Sequence, residues 1–256
     1  MHTSTQPKIS VISLVKSFGS KRVLEGVELE IQAGESVVVV GGSGAGKTVF
    51  IKHLIGLHLP DEGHVVVDGV DLTAASPEVA LELRKRFGMS FQEGALFDSM
   101  NVFDNVAFPL RRHTRRSRAA IAERVRECLG LVGLEDVESK MPAELSGGMR
   151  RRVGFARAIA LEPEILLFDE PTTGLDPINT ARIASVINDM RRELQITAVT
   201  ITHDMNLARR IADRIAMLRY GRIIALAPPD EFAELPDPYV QAFLHGEVPE
   251  DEEEYP

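Results

Sequence analysis

Apolar residues recur with two different periods along the chain, and each period predicts a different kind of element. Period-two or continuous apolar runs, which are typical of strands, cover 8–15, 22–31, 37–40, 64–70, 88–91, 165–168 and 197–201. Helical periodicity covers 49–57, 77–86, 101–110, 117–131, 147–160 and 178–194, and another helix begins near Met205. A hairpin through Tyr220-Gly221 and two short helices beyond Pro229 and Pro238 complete the order. Strands interleaved with helices predict an α/β fold.

The order of these elements predicts one domain over 1–256 with internal divisions. The first two strands are separated by Phe18-Gly19-Ser20 and are expected to pair in an antiparallel layer. Residues 8–92 and 161–228 form the α/β body with its mixed, largely parallel core sheet. Residues 93–160 form an inserted helical lobe, and 229–256 form a C-terminal helical extension with an acidic tail.

Composition and charge exclude several classes of protein. The net charge is −9, and the six acidic residues of 247–256 leave −3 for the rest, which argues against a nucleic-acid partner. The single cysteine, Cys128, excludes an intrachain disulfide and lies on a helix pattern as a small buried hydrophobe. Residues 1–7 are polar, and no apolar run approaches the ~18 residues of a membrane span, so we expect a cytosolic protein unless a partner holds it at a membrane. The acidic run 251–254 is either a solvated end or a docking segment.

A phosphate-binding loop lies between the strand 37–40 and the following helix. Its residues are Gly41, Gly42, Ser43, Gly44, Ala45, Gly46, Lys47 and Thr48. The glycines let successive backbone N–H groups converge on phosphate oxygens at a helix N-terminus. Lys47 is expected to place its charge on the β and γ phosphates, and the Thr48 hydroxyl to be a ligand of Mg²⁺. The alternative, a glycine-rich turn without a ligand, does not explain the Lys-Thr pair at this offset.

Polar residues follow several of the predicted strands. Gly41, Gln92, Asp169 and His203 all lie where a strand ends, which is where ligands bind to open α/β sheets. We expect Asp169 to hold Mg²⁺, directly or through water, and Glu170 to orient and deprotonate an attacking water. His203 is expected to hydrogen-bond the γ-phosphate, and Gln92 to reach the metal or the water. The set predicts phosphoryl transfer, which depends on positioning and charge neutralisation.

Three features leave two interpretations each. Phe18 is either a flat platform for an adenine ring or a core residue. The apolar residues of 95–110 form either a groove for another protein's helix or the lobe's own core, and they are Leu96, Phe97, Met100, Phe103 and Phe108. The cluster Arg111, Arg112, Arg115, Arg116 and Arg118 is either a solvated face or a surface for anionic lipid headgroups.

With Leu145-Ser146-Gly147-Gly148-Met149 ahead of Asp169, the chain resembles the ATPase subunits of ATP-binding-cassette (ABC) transporters from Lys8 to about Pro228. The resemblance implies a P-loop ABC ATPase fold, ATP and Mg²⁺ as cofactors, and a dimer in which the signature of one subunit caps the ATP of the other. It assigns 41–48 and the adjoining Val49 to the Walker A loop, Phe18 to the A-loop aromatic and Gln92 to the Q-loop. It further assigns Ser146, Gly147 and Gly148 to the signature, Asp169-Glu170 to Walker B and the catalytic base, Gly174-Leu175-Asp176 to the D-loop, and His203 to the switch histidine.

A finer resemblance rests on the flanks of these motifs. Residues 92–99, 105–110 and 169–177, with Met149 in place of the usual glutamine, resemble the ATPases of Mce-type lipid transporters, in particular the Mla phospholipid branch. That resemblance implies a membrane permease, a periplasmic Mce lipid-binding protein and a STAS-domain regulator as partners. It also implies a location at the cytoplasmic face of the inner membrane, and a C-terminal segment 239–244 that reaches the neighbouring subunit. A methionine at 149 cannot supply the hydrogen bonds of a glutamine amide.

Three other functions compete with lipid transport. An ABC ATPase for another solute, such as an amino acid or a metabolite, differs from this interpretation only in the motif flanks. Non-transport cassettes of DNA repair or translation commonly carry two cassettes or a long coiled coil, whereas this chain has one motif set and no sustained heptads. A phosphotransferase that uses the same loop is disfavoured by the signature at 145–149.

Overall fold

The computed structural model describes residues 6–92 and 94–247. Most of the polar N-terminus, Glu93 and the acidic run 251–254 lie outside these residues. The chain divides into two units. The first contains Met1–Ile31, Ser36–Thr73 and Ile201–Pro256, and the second contains Gln32–Glu35 and Ala74–Thr200.

The strands of the described residues follow the predicted order. They are β1 (Ile9–Phe18), β2 (Lys21–Ile31), β3 (Ser36–Val40), β4 (Glu62–Val67), β5 (Val70–Asp71), β6 (Phe87–Ser90), β7 (Ile165–Asp169), β8 (Thr197–Thr202), β9 (Arg214–Arg219) and β10 (Arg222–Ala227). The helices are α1 (Lys47–Leu54), α2 (Pro77–Arg84), α3 (Val102–His113), α4 (Arg118–Leu131), α5 (Gly147–Ile159), α6 (Pro177–Leu194), α7 (Met205–Ile211), α8 (Pro229–Ala233) and α9 (Pro238–His245). A short 3₁₀ turn, Pro142–Glu144, precedes α5.

The first unit contains the predicted antiparallel layer. Its strand order is β2-β1-β4-β5, and β1 pairs antiparallel with both β2 and β4. The sequence predicts one strand over 64–70, which is wrong, because the chain turns between β4 and β5. Asp68 and Gly69 both have positive φ, 48° and 77°, and two left-handed residues in succession break an extended path.

The first unit also contains the strand that leads to the phosphate-binding loop. All five residues of β3 are buried, as expected for a strand covered on both faces. β3 runs parallel to β9, and β9 pairs antiparallel with β10 in the predicted hairpin. The core sheet is therefore mixed, as predicted.

The second unit carries the helices and strands between 74 and 200. β6 runs parallel to β7 with Ser90 opposite Phe168, and β8 lies on the other side of β7. The predicted stripe of α4 is buried, and it consists of Ile121, Val125, Cys128 and Leu129. Burial raises the pKa of the Cys128 thiol to about 11, so this side chain behaves as a small hydrophobe. Helices α3, α4 and α5 pack on one another within this unit, and the lobe boundaries 93–160 stay a prediction.

Short polar side chains fix where the helices of the second unit begin. The Asn101, Ser117 and Ser146 side chains accept hydrogen bonds from first-turn N–H groups of α3, α4 and α5. Helix α3 runs to His113, three residues beyond the predicted end and past Pro109. The Thr114 hydroxyl donates to the Leu110 carbonyl oxygen over 2.7 Å and closes its last turn. Within 6–92 and 94–247, no helix has the length and hydrophobicity needed to cross a membrane.

Candidate active site

The loop 41–48 connects β3 to α1 in the first unit. The Lys47 ammonium lies across the loop and donates to the carbonyl oxygens of Gly41 at 2.7 Å and Gly42 at 3.0 Å. Gly46 has φ 102° and precedes the first residue of α1, so no side chain stands at the helix N-terminus. Ser43, Gly44 and Thr48 are exposed. The loop thus presents backbone N–H groups, a cation and a hydroxyl on one short segment.

Two glycines of the loop have no space for a side chain. A Cβ on Gly41 would lie 2.3 Å from the Leu218 carbonyl oxygen, and one on Gly46 would lie 2.9 Å from the Val23 carbonyl oxygen. The backbone of Gly41 thus packs directly against β9, and that of Gly46 packs directly against β2. These contacts explain in physical terms why the predicted glycine pattern is needed at both ends of the loop.

A cavity of about 920 Å³ adjoins the loop within the first unit. Residues 42–45 form one wall, and the charged residues of the lining are three cations, Lys21, Arg22 and Arg219, and two carboxylates, Glu25 and Glu247. Its volume lies in the range of pockets that hold nucleotide-sized ligands. The lining therefore carries a small excess of positive charge, beside a loop whose backbone N–H groups suit an anion.

The C-terminal helix α9 forms another wall of this cavity. The Tyr239 side chain is 6% exposed, and the Arg219 guanidinium carbon lies 3.9 Å from its ring centroid. A Cβ on Gly42 would come within 3.3 Å of the Tyr239 hydroxyl oxygen. In this single chain, Tyr239 therefore packs beside its own phosphate-binding loop, and the reach of 239–244 to a neighbouring subunit stays a prediction.

Phe18 and His203 also belong to the first unit. Phe18 is the last residue of β1 and is 46% exposed, which excludes the interpretation as a core residue. Val49, the second residue after Lys47 in α1, is half-buried. His203 is exposed directly after β8, and the Asp204 side chain caps α7 by accepting from the Asn206 and Leu207 N–H groups. His203 therefore lies at the carboxyl end of a buried strand, as predicted.

Asp169 and Glu170 close β7 in the second unit. Asp169 is 8% exposed at the strand end. Glu170 has φ 48°, a left-handed conformation that is uncommon for a side-chain-bearing residue. The Thr173 hydroxyl donates to Glu170 Oε2 over 3.1 Å and orients its carboxylate. Asp169 and Glu170 thus place two carboxylates at the end of β7, the first buried and the second half-buried and held by Thr173.

Gln92 lies two residues beyond the end of β6, and its backbone is fixed by α5. Arg151 is 8% exposed and donates from Nε to the Gln92 carbonyl oxygen over 3.0 Å. Its Nη2 donates to the Thr173 carbonyl oxygen, so one side chain joins the segments after β6 and β7. Arg157 donates to the Gly94 and Ala95 carbonyl oxygens at 2.7 and 2.9 Å.

Sequence reasoning missed both of these arginines. The only signal is that Arg151 and Arg157 occur on a predicted helix among residues that become buried, such as Val153, Phe155 and Ile159. An arginine on an apolar helix face needs buried acceptors, and here they are backbone carbonyl oxygens that no sequence pattern reveals.

The N-terminus of α5 is the second candidate anion site. Ser146 caps the helix, with Oγ accepting from the Met149 N–H over 3.3 Å, and Ser146 and Gly147 are exposed. Asp176 caps α6 in the same unit by accepting from the Ile178 and Asn179 N–H groups. The hydrogen bonds from Asn179 hold the pKa of the Asp176 carboxyl below its usual range, so it is charged at neutral pH.

The apolar residues of 95–110 divide into two groups. Phe97 and Phe108 are 41% and 40% exposed with ring centroids 4.9 Å apart, whereas Leu96, Met100 and Phe103 are half-buried. Asn105, fully buried, accepts from the Phe97 N–H and donates to the Phe97, Met100 and Asn101 carbonyl oxygens. The loop that carries Phe97 is therefore fixed against α3, the helix that carries Phe108. All five arginines of the predicted basic cluster are exposed.

Comparison with known proteins decides the family. The ABC transporter family model matches residues 24–173, which is more than half of this 256-residue chain. The chain belongs to the ABC transporter family. The resemblance predicted from the motifs is therefore confirmed, and the chain contains the ATPase domain of an ATP-hydrolysing family.

Two sequence relatives of this ABC transporter chain carry different names. The chain is 46% identical over 238 residues to "Probable ribonucleotide transport ATP-binding protein mkl" of Mycobacterium tuberculosis, and that match covers 93% of this chain but only 66% of the relative. It is 38% identical over 242 residues to "Intermembrane phospholipid transport system ATP-binding protein MlaF" of Haemophilus influenzae, covering 94% of this chain and 92% of the relative.

A solved ABC cassette confirms the predicted fold. The dimeric structure of the ATP-binding cassette MJ0796 in a post-hydrolysis state with ADP and Pi matches with a TM-score of 0.79 at 30% identity. The match covers 86% of this chain and 98% of MJ0796.

Proposed function

We propose that this chain is the ATP-hydrolysing subunit of an ABC transporter that moves phospholipid between membranes of the cell envelope. One observation carries the lipid assignment: the similarity to the phospholipid transport protein MlaF extends over 94% of this chain and 92% of the relative. The alignment, at 38% identity, therefore spans nearly the whole length of both proteins.

The phosphate-binding loop supports ATP as the ligand. Lys47 and the N–H groups at the start of α1 bind the phosphates, with Gly41, Gly42, Ser43, Gly44, Ala45, Gly46 and Val49 shaping the loop. In the present structure, the Lys47 ammonium donates to two carbonyl oxygens of its own loop. Phosphate oxygens are stronger acceptors than these carbonyl groups, so binding would exchange the partners of Lys47. Phe18, exposed at the end of β1, stacks on the adenine ring.

The donor set suits Mg²⁺. Thr48 offers an exposed hydroxyl in the first turn of α1, Asp169 a carboxylate at the end of β7, and Gln92 an amide oxygen. All three are oxygen ligands, which a small hard cation prefers, and few carboxylates are typical of a Mg²⁺ site that also uses phosphates. When bound, Mg²⁺ neutralises charge on the β and γ phosphates.

Glu170 is the proposed general base. Its carboxylate, oriented by the Thr173 hydroxyl, accepts a proton from the attacking water. Gln92 orients that water, and His203 donates a hydrogen bond to the γ-phosphate. Each of these groups follows a strand end, where the backbone is rigid and positions the side chain.

The functional unit we propose is a homodimer. Ser146 caps α5 and Gly147 and Gly148 begin it, and the exposed Ser146 and Gly147 make this helix N-terminus suitable for an anion supplied by a second subunit. In the proposed dimer, Asp176 of the D-loop lies at the same junction between the two subunits. The dimeric state of the similar cassette MJ0796 supports this assignment.

The membrane partner is proposed to be a permease whose helix contacts the Phe97–Phe108 pair, which holds the ATPase at the cytoplasmic face of the inner membrane. The exposed Phe97 ring, on a loop fixed by Asn105, and the exposed Phe108 ring, on α3, form a preformed apolar contact. A periplasmic Mce lipid-binding protein and a STAS-domain regulator complete the proposed complex. Phe108→Glu should abolish co-purification with the permease and leave the nucleotide affinity of the isolated chain unchanged. A retained complex would contradict this contact.

Ribonucleotide transport is a second candidate, because the mkl relative has the higher identity of 46%. The chain spans 66% of that relative's length, so the similarity leaves a third of that protein unmatched. The deciding experiment is mass spectrometry of the proteins and small molecules that co-purify with this subunit from detergent-solubilised membranes. Phospholipid together with an Mce-type permease supports the proposal, and a ribonucleotide carrier without lipid overturns it.

A further inference from the structure

Three aromatic rings form a row in the first unit, and they join the exposed Phe18 to the interior. The centroids of Phe18 and His58 lie 5.6 Å apart with an interplanar angle of 75°, an edge-to-face contact. The centroids of His58 and His53 also lie 5.6 Å apart, at 47°. Exposure falls along the row, because Phe18 is 46% exposed, His58 is half-buried and His53 is 1% exposed.

His53 is the fixed end of this row. Its Nδ1 lies 2.8 Å from the Val49 carbonyl oxygen, and because a carbonyl oxygen only accepts, Nδ1 carries the proton. Its Nε2 is also buried, and the hydrogen bond and the packing hold the ring in one orientation. Burial lowers the pKa of His53, which favours the neutral ring. His58 therefore packs between a fixed ring and an exposed one.

A second contact limits the motion of Phe18. The Lys16 ammonium lies 5.6 Å from the Phe18 ring centroid, and it is held by the Leu59 carbonyl oxygen and Asp61 Oδ1, each at 2.8 Å. His58, Leu59 and Asp61 all belong to the short segment between α1 and β4. The segment after α1 thus holds Phe18 in two ways. His58 contacts the Phe18 ring edge-to-face, and Leu59 and Asp61 hold the Lys16 ammonium near the ring.

We propose that His58 is a positioning residue for the nucleotide base, holding the Phe18 ring in the orientation on which the base stacks. The inference rests on the proposed role of Phe18 and adds a residue that no motif assigns. An exposed phenylalanine without this support would rotate about its side-chain bonds, and ordering it would weaken base binding. His58 contacts Phe18 and lies outside the loop 41–48, so its effect should be confined to ligands that carry a base.

Two probes separate this role from a general effect on the loop. Calorimetric titration of the full chain with MgATP and with magnesium tripolyphosphate, which lacks the base, gives a dissociation constant for each. For His58→Ala we expect MgATP to bind about 2- to 10-fold more weakly, in keeping with the loss of one aromatic pair, and tripolyphosphate to bind as to the wild type. His58→Phe keeps an aromatic edge and should restore most of the affinity for MgATP.

Phe18→Ala distinguishes failure of this inference from failure of the proposed base site. If Phe18→Ala weakens both probes equally, Phe18 is not the base platform and the proposed function loses that residue. If Phe18→Ala affects only MgATP while His58→Ala binds it like the wild type, only the positioning role is overturned. An equal loss of both probes in His58→Ala, or no rescue by His58→Phe, also overturns it.

Discussion

The Arg151 Nε donates a hydrogen bond to the Gln92 carbonyl oxygen over 3.0 Å. This contact joins α5, which begins at the proposed signature, to the segment that carries Gln92, the proposed Q-loop glutamine. The same guanidinium also donates to the carbonyl oxygen of Thr173, and the Thr173 hydroxyl orients Glu170. Arg151 therefore connects the Gln92 segment to the segment of Glu170. A movement of α5 would therefore displace the backbone of Gln92 and Thr173 together.

Replacing Arg151 by methionine should uncouple these segments. Two charge-assisted hydrogen bonds to part-buried carbonyl oxygens are lost, so we expect about 2 kcal/mol less stability and a lower kcat, with ATP affinity retained at the loop 41–48. Denaturant unfolding and steady-state kinetics measure the two effects. Arg126→Met, at an exposed position on α4, is the matched control, and equal behaviour of the two variants would contradict the role of Arg151.

Gly154 and Gly130 form a matched pair of helical glycines. A Cβ on Gly154 would lie 2.9 Å from the Gly94 Cα, whereas one on Gly130 would meet nothing within 4 Å. Gly154→Ala should therefore displace the loop after Gln92 and destabilise the chain by ~1–3 kcal/mol. Gly130→Ala should be neutral or stabilise by up to ~1 kcal/mol, because alanine favours a helix. Urea unfolding of both variants checks the prediction, and similar effects would refute the close contact.

Glu170→Gln tests the proposed base. We expect turnover to fall by ~10² to 10⁴, because an amide cannot accept the proton, while ATP still binds and the dimer accumulates. Phosphate release and size-exclusion chromatography with ATP measure the two outcomes. Near-normal turnover would remove Glu170 from this role.

Mixing two inactive variants tests the composite site. Lys47→Ala damages the phosphate-binding loop, and Ser146→Arg blocks the N-terminus of α5 in the other variant. In a mixed dimer, one site combines the intact loop of one subunit with the intact α5 of the other. We therefore expect ATPase activity to reappear on mixing. If the mixture stays inactive, each site is complete within one chain.

His53 should make stability depend on pH. Its pKa in the folded chain is lowered from the ordinary 6.5, chiefly by burial, so below about pH 6.5 the unfolded chain binds a proton that the folded chain does not. The free energy of unfolding therefore falls as the pH drops through this range. In His53→Leu this contribution is absent, so the difference between wild type and variant should change below pH 6.5 and be constant above about pH 7. Parallel pH curves would disprove it.

Most of the fold was predictable because the motifs are local and each strand end carries a recognisable residue. The β-strand error at 64–70 arose because the apolar residues on both sides of Asp68-Gly69 resemble one continuous strand, although this dipeptide is typical of a two-residue hairpin turn, which the structure shows here. Two features could not be predicted: the hydrogen bonds from Arg151 to Gln92 and Thr173, and the row of rings from Phe18 through His58 to His53. Both depend on contacts between residues far apart in sequence. Sequence patterns do not encode which carbonyl oxygen a buried arginine meets.

The packing of Tyr239 beside Gly42 bears on how the protein is handled in the laboratory. Helix α9 borders the phosphate-binding loop 41–48. A purification tag, fluorophore or fusion partner attached directly after α9 would therefore begin close to that loop in space. Such additions are expected to alter nucleotide affinity even when folding is normal. Labels for binding studies on this subunit are therefore better placed on exposed positions of α4.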